Sequence, residues 1–196
     1  VIRIAEQLTK MGKKVFVYND CEDEEGDYNG VSFVDWRKFN PKDIFSTIIG
    51  WRMNIANYNF AAANRIVWIH DIPLCLRNMT PDEILKTDRV IVLSEYHRSL
   101  LPQEIPPEKV YVSTNGIVPE DFDGISEKRQ KNRMIYASSY DRGLEEILNG
   151  WGRIRAEVPD AELHVFYGWE TYDALANQGL RRSDFKERMK ALMAQE

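Results

Sequence analysis

Four stretches of the sequence set chemically competent side chains at the end of an apolar run. In the first, Met134-Ile135-Tyr136-Ala137 breaks into Ser138-Ser139-Tyr140-Asp141, and a helical pattern begins at Arg142-Gly143. A small-residue loop that feeds a helix leaves backbone N–H groups free at the positive end of the helix dipole, which suits an anion such as phosphate. Arg142 adds a permanent cation with bidentate reach. In the second, Arg65–Ile69 ends in His70-Asp71, where open α/β sheets hold their ligand chemistry. In the third, Ile44–Ile49 ends in Gly50-Trp51-Arg52. A glycine there lets a ligand approach the backbone, and Arg52 is able to hold an anion or a sugar hydroxyl. In the fourth, Lys109–Ser113 ends in the turn Thr114-Asn115-Gly116-Ile117, again open to close approach. Each stretch also has a plain reading: a strand-to-helix connection with a surface Arg, a structural His, or a surface Arg beside a packed Trp.

The elements that would position these groups alternate. A helix with Ile2, Ala5, Leu8 and Met11 on one face stops at Gly12, and Lys13–Tyr18 follows as a buried strand. No cap residue precedes the helix, so the chain reads as starting inside a βαβ unit. Asp20–Gly30 is an acidic loop without the spacing or closing Glu of a calcium loop. Val31–Val34 and Ile44–Ile49 are strands, and Asn54–Asn64 reads as a weak helix because of its alanines at 61–63. Thr80-Pro81-Asp82-Glu83 has the composition of a helix start. Strand Arg89–Leu93 precedes a helix capped by Ser94, and Pro119–Phe122 is a helical turn. Asp123–Asn132 is polar and reads as a linker. The helix after Arg142 keeps the stripe Leu144, Ile147, Leu148, Trp151, Ile154, weakened by Gly150 and Gly152. Strand Glu162–Tyr167 ends at Gly168, and Ser183–Ala194 is a last amphipathic helix.

This alternation predicts an α/β fold with parallel sheets. The expected division is a domain over 1–122, a linker over 123–132 and a second domain over 133–196. The second domain has too few elements for a complete doubly wound sheet. At 196 residues and net charge -5 the chain has room for two small domains and lacks the basic footprint of a nucleic-acid binder. No apolar run reaches the ~18 residues of a membrane span, and the first residues read as an amphipathic helix rather than a leader. The two cysteines, Cys21 and Cys75, have no metal-ligand spacing. A reduced cytoplasmic protein is the default, with one long-range disulfide as the alternative.

Several stretches, in order, resemble one family. TDRVIVLSEYHRSLLP, KVYVSTNGIVPEDF, RMIYASSYDRGLEEILNGW and PDAELHVFYG are similar to segments of the retaining glycosyltransferases of family 4, and WIHDIP resembles that family's His-containing strand end. The resemblance implies the GT-B fold: Rossmann-like parallel sheets in two domains facing across a cleft, the second incomplete here. It implies transfer of a sugar from a nucleotide-sugar donor, UDP- or GDP-linked, to an unknown acceptor with retention and without a metal or other cofactor. His70, with Asp71 beside it, would lie near the donor sugar and the reacting centre. Ser138, Ser139, Arg142 and Gly143 would face the donor diphosphate, and Gly168 the nucleotide. Asn115 and Gly116 match the family's turn before the hinge, and Gly50 and Arg52 would line the cleft. The departures are a single cation where the family has two, no Gly-rich loop after a first strand, and no later Glu-containing donor motif. On this reading the chain is truncated at both ends. The competing readings are a nucleotide-sugar 2-epimerase of the same fold and a non-catalytic α/β binding module.

Overall fold

The computed structural model describes residues 2–124, 129–181 and 183–194. The chain divides into two compact units, Val1–Ile117 and Val118–Glu196. Residues 125–128 of the expected linker lie outside the described residues.

The first unit opens with α1 (Ile2–Lys10). Gly12, at φ +78°, closes it: the Lys13 N–H donates to the Leu8 carbonyl at 3.0 Å and the Gly12 N–H to the Thr9 carbonyl at 2.8 Å. That paired capping requires the left-handed backbone glycine adopts freely. The face α1 buries is Ala5 and Glu6, while Ile2 and Met11 are exposed. β1 (Val15–Asn19) pairs in parallel with β3 (Val31–Asp35). The acidic segment expected as a loop contains a short strand, β2 (Gly26–Tyr28), antiparallel to β3. Glu25 explains it, because its carboxylate accepts from the Asp35 N–H at 2.6 Å and pairs with Lys38, tying the segment down.

A second sheet of the same unit is wholly parallel, in the order β4 (Ile44–Trp51), β5 (Ala61–Trp68), β6 (Arg89–Val92), β7 (Val110–Val112). The helix expected over 54–64 is absent: β5 already starts at Ala61. Geometry overrides alanine's helix propensity here. Ile44 pairs with Ala61 and Trp51 with Trp68, so residues 52–60 must return the length of a strand, ~23 Å at the usual rise. A helix over the same residues would cover only ~14 Å. The connection stays open, and Arg65 satisfies its backbone by donating to the carbonyls of Ala56, Tyr58 and Phe60 at 3.4, 3.3 and 2.8 Å. Ile55 and Phe60 drop from it onto Val67, Ile69, Val90 and Val92, joined by Leu76, Ile84 and Ile105 from the following segments. α2 (Pro81–Lys86) carries a complete capping box of Thr80 and Glu83, and α3 (Glu95–Ser99) is capped by Ser94.

In the second unit β8 (Arg133–Ala137) pairs in parallel with β9 (Glu162–Phe166). Between them the expected single helix is two, α4 (Leu144–Asn149) and α5 (Trp151–Glu157), broken at Gly150. α6 (Glu170–Asn177) and α7 (Ser183–Met193) follow. The core is Tyr140, Leu144 and Met189, flanked by Tyr136, Leu148, Val165, Trp169 and Phe185. The fold is thus α/β with parallel sheets throughout, apart from the β2 edge. Among the described residues no helix is long and apolar enough to cross a membrane.

Candidate functional site

The carboxyl end of β5 gathers three of the predicted residues, Arg52, His70 and Asp71. Trp68 is the last residue of β5 and His70 follows two positions on, and the register with β4 sets Trp51 beside Trp68. The His70 ring lies 4.8 Å from that of Trp68 and 5.8 Å from that of Trp51. Arg52 occupies a left-handed backbone, φ +61°, which a non-glycine residue adopts at a cost. That conformation lets its N–H donate to the Trp68 carbonyl at 2.8 Å while the guanidinium pairs with Asp71 and lies 5.3 Å over the Trp51 ring. The ion pair is solvent-exposed on both sides and contributes about 0–1 kcal/mol. Its value is orientation rather than stability.

Two ring nitrogens at this end, Trp68 Nε1 and His70 Nε2, have no hydrogen-bond partner among the described residues although both atoms are buried. Trp68 as a whole is 9% exposed. A buried donor without a partner costs about 1–3 kcal/mol, and sites that bind are where such a cost is tolerated. Burial, with the Arg52 charge adding and Asp71 opposing, pushes the His70 pKa below its ordinary value. His70 therefore stays neutral at neutral pH.

A further residue, which sequence reasoning missed, sets this corner. His97 on α3 is buried, 8% exposed. Its Nδ1 accepts from the Leu93 N–H at 3.4 Å and its Nε2 lies 2.6 Å from the Asp71 carbonyl oxygen. With Nδ1 accepting, the proton is on Nε2 and donates to Asp71. The ring thus ties the end of β5 to the start of α3. The contact spans 26 positions; the available signal was a His one turn after the Ser94 cap, which points it inward.

Gly50 needs correction. It faces the core, not a ligand: an added Cβ would meet Ile55 Cγ2 at 2.5 Å and the Met53 carbonyl oxygen at 2.7 Å. The glycine is there so that its own connection can fold back over it. Asn115 and Gly116 lie in exposed coil after β7, and nothing stands within 4 Å of a Cβ built on Gly116. They are not drawn into the β5 corner by any hydrogen bond among the described residues.

The loop of the second unit is wired to itself. Ser139 Oγ donates to Asp141 at 2.5 Å, the Ser139 carbonyl accepts from Tyr136 Oη at 2.8 Å and from the Arg142 N–H at 3.0 Å, and Arg181 pairs with Asp141 at 3.1 Å. The helix expected to begin at Arg142 begins at Leu144, with Gly143 (φ +104°) as an N-cap that offers no side chain. With six residues, α4 brings little dipole to bear. Gly168 does not face outward with a free donor, since its N–H donates to Tyr140 Oη at 3.1 Å. That bond does bring the loop and the end of β9 together. Ser138 is half-buried, and Arg142 is exposed with no side-chain partner among the described residues.

Cys21 and Cys75 are both free thiols, the first buried and the second exposed. Among the described residues no three His, Cys, Asp or Glu side chains cluster as metal ligands. Comparison with models of known protein families, with characterised proteins and with solved structures gave no match.

Proposed function

We propose that the chain is a glycosyltransferase, or a portion of one, of the GT-B type, moving a sugar from a UDP- or GDP-linked donor to an acceptor hydroxyl with retention. The observation that carries the reading is the β5 corner: a neutral imidazole with an unpartnered Nε2 beside an unpartnered indole N–H, next to an oriented Arg52–Asp71 pair. Such groups suit a polyhydroxylated ligand, to which His70 and Trp68 would offer hydrogen bonds (with Asp71 held in place by His97). In the reaction the bond from sugar C1 to the diphosphate oxygen breaks and the bond from C1 to the acceptor oxygen forms. The acceptor's proton leaves with the diphosphate. Negative charge grows on that diphosphate, and Arg142, with no side-chain partner among the described residues, is the loop cation that would stabilise it. On this reading Arg142 does what a metal ion does in other folds.

The test is calorimetric titration of UDP, GDP and their sugars into the wild type and Arg142→Ala, with nucleoside diphosphate release followed in His70→Ala. The expected result is nucleotide binding that depends on Arg142, and a rate loss on the order of 10²–10³ where one such charge-stabilising donor is removed. Absence of nucleotide binding, or binding indifferent to Arg142, overturns the donor assignment. A second reading, a non-catalytic binding module, is favoured by the internal satisfaction of the loop over Ser139 and Asp141. Ligand binding without turnover would select it.

A further inference from the structure

The connections that leave β4 and β5 and present Arg52 and Asp71 run on to form a cleft of about 480 Å³. That volume falls within the range of roughly 300–1,000 Å³ usual for small-molecule sites. Its walls are mostly polar. Asn54, Asn57 and Tyr58 come from the first connection, the apolar Leu74 with Cys75 and Asn78 from the second, and Glu83 from the start of α2. Among the described residues no Lys, Arg or His lines it.

Charge decides what such a cleft can take. Glu83 is 4% exposed, and its pKa is held below the usual carboxylate range by the Thr80 N–H first, with the Asn54 and Asn57 amides adding and burial opposing. It is an anion, so with no cation in the walls a phosphate or carboxylate is repelled. Nor is it a cation trap. Its Oε2 accepts from the Thr80 N–H at 2.5 Å and its Oε1 from Asn54 Nδ2 at 3.1 Å. The carboxylate is consumed as the cap of α2 and as the anchor of Asn54.

What remains for a ligand is neutral and two-handed. Each Asn amide can both donate and accept. The Asn78 amide has no partner among the described residues, whereas Asn54 is already fixed, its Oδ1 accepting from the Ala56 N–H at 3.0 Å, and Asn57 hydrogen-bonds Glu83 and keeps only its remaining capacity. Beside these stands the Tyr58 ring, 53% exposed, an apolar surface with a polar tip. An amide with its bonds still to give, in a wall that also carries the exposed Tyr58 and Leu74 side chains, suits a molecule that has both hydroxyls and C–H faces.

We infer that the cleft between the β4–β5 and β5–α2 connections binds a neutral sugar. As the place of the acceptor it rests on the glycosyl-transfer reading; as a sugar site it does not, and it can be tested without any nucleotide. Cys75 in the wall is the reporter. Its thiol is exposed while Cys21 is buried, and burial pushes the Cys75 pKa up, so labelling is run at alkaline pH.

The experiment measures N-ethylmaleimide modification of Cys75 in the full chain, with Cys75→Ser as the blank. It uses the methyl glycosides of glucose, galactose, mannose and N-acetylglucosamine, with glucose 6-phosphate as the charged comparison. Ligand-observed NMR gives affinity independently. At least one glycoside is expected to slow modification about tenfold at saturation, with Asn78→Leu and Asn57→Leu each weakening binding about tenfold and the phosphate ester binding less well. Asn78 is exposed and bonds to nothing among the described residues, so Asn78→Leu keeps the fold; Asn57 hydrogen-bonds Glu83, so Asn57→Leu is read only after urea unfolding shows it folded. Protection by none of the four glycosides overturns the inference, as does tighter binding of the phosphate ester or affinity unchanged in both variants. UDP binding lost in Arg142→Ala leaves this result untouched, so the two proposals fail separately.

Discussion

The corner at the end of β5 and the loop over 138–143 are both strand ends with polar side chains, yet they manage those groups in opposite ways. In the loop, Ser139, Asp141, Tyr136, Tyr140 and the Gly168 N–H bond to one another. In the corner, Trp68 Nε1 and His70 Nε2 are buried and bonded to nothing. Among the described residues the Ser138 and Arg142 side chains of the loop have no partner, the first half-buried and the second in solvent. The sequence made the loop look more like a ligand site, because small residues, an Arg and a Gly fall together there. A partner already inside the chain uses up a polar group; an unpartnered one still has its bond to give.

The largest stability effect is expected at the residue that holds the corner. His97→Ala removes an acceptor from the Leu93 N–H and a donor from the Asp71 carbonyl. Each group so orphaned costs about 1–3 kcal/mol, so the expected loss is about 2–6 kcal/mol. Urea unfolding, with hydrogen exchange used to assign the loss to the first unit, measures it. A loss below about 1 kcal/mol would mean that the corner does not depend on the His97 bridge.

That prediction also marks the boundary of what the sequence could tell. Local signals were legible: the Gly12 stop, the Thr80 capping box and the Ser94 cap all form from residues within a few positions of one another. So was the alternation that gives parallel sheets. Three features were not legible, each for a tertiary reason. The alanines at 61–63 favour a helix in isolation, but the pairing of β4 with β5 leaves no length for one. Gly50 looks like an opening for a ligand until Ile55 is known to fill it. His97 owes its role to Asp71, which no local spacing connects to it. His70 and Arg52 both follow strand ends that a parallel sheet aligns, so their common end of the sheet was legible; the orphaned nitrogen of the one and the ion pair of the other were not.

The contrast between the two regions predicts opposite signs. His70→Phe keeps an aromatic ring against Trp51 and Trp68 while removing the unpartnered nitrogen. The expected result is stabilisation by about 1–3 kcal/mol. pH gives a second handle. The folded-state pKa of His70 is lowered chiefly by burial, with the Arg52 charge adding to it, so the unfolded chain takes up the proton more readily. Stability due to this group is then fully present above the ordinary imidazole value of about 6.5. It declines as pH falls below that value toward the folded pKa. In His70→Phe that decline should vanish. A destabilised variant with an unchanged pH profile would show that the nitrogen is not an orphan. Tyr140→Phe in the loop should go the other way, costing about 0.5–1.5 kcal/mol because the Gly168 N–H loses its acceptor.

The smallest stability effect is expected where the functional effect is proposed to be largest. Arg142 is exposed, its guanidinium bonds to nothing among the described residues, and its backbone N–H bond to the Ser139 carbonyl survives any side-chain change. Arg142→Ala should therefore leave unfolding within about 0.5 kcal/mol of the wild type. A charged side chain held at no structural gain is free to serve a ligand, whereas one that stabilises the fold is already in use. If Arg142→Ala instead lost 1 kcal/mol or more, on the scale of an intramolecular hydrogen bond of about 0.5–1.5 kcal/mol, its charge would be committed within the second unit. Arg142 would then join Ser139 and Asp141 in being committed within the loop, and the proposed chemistry would rest on the β5 corner.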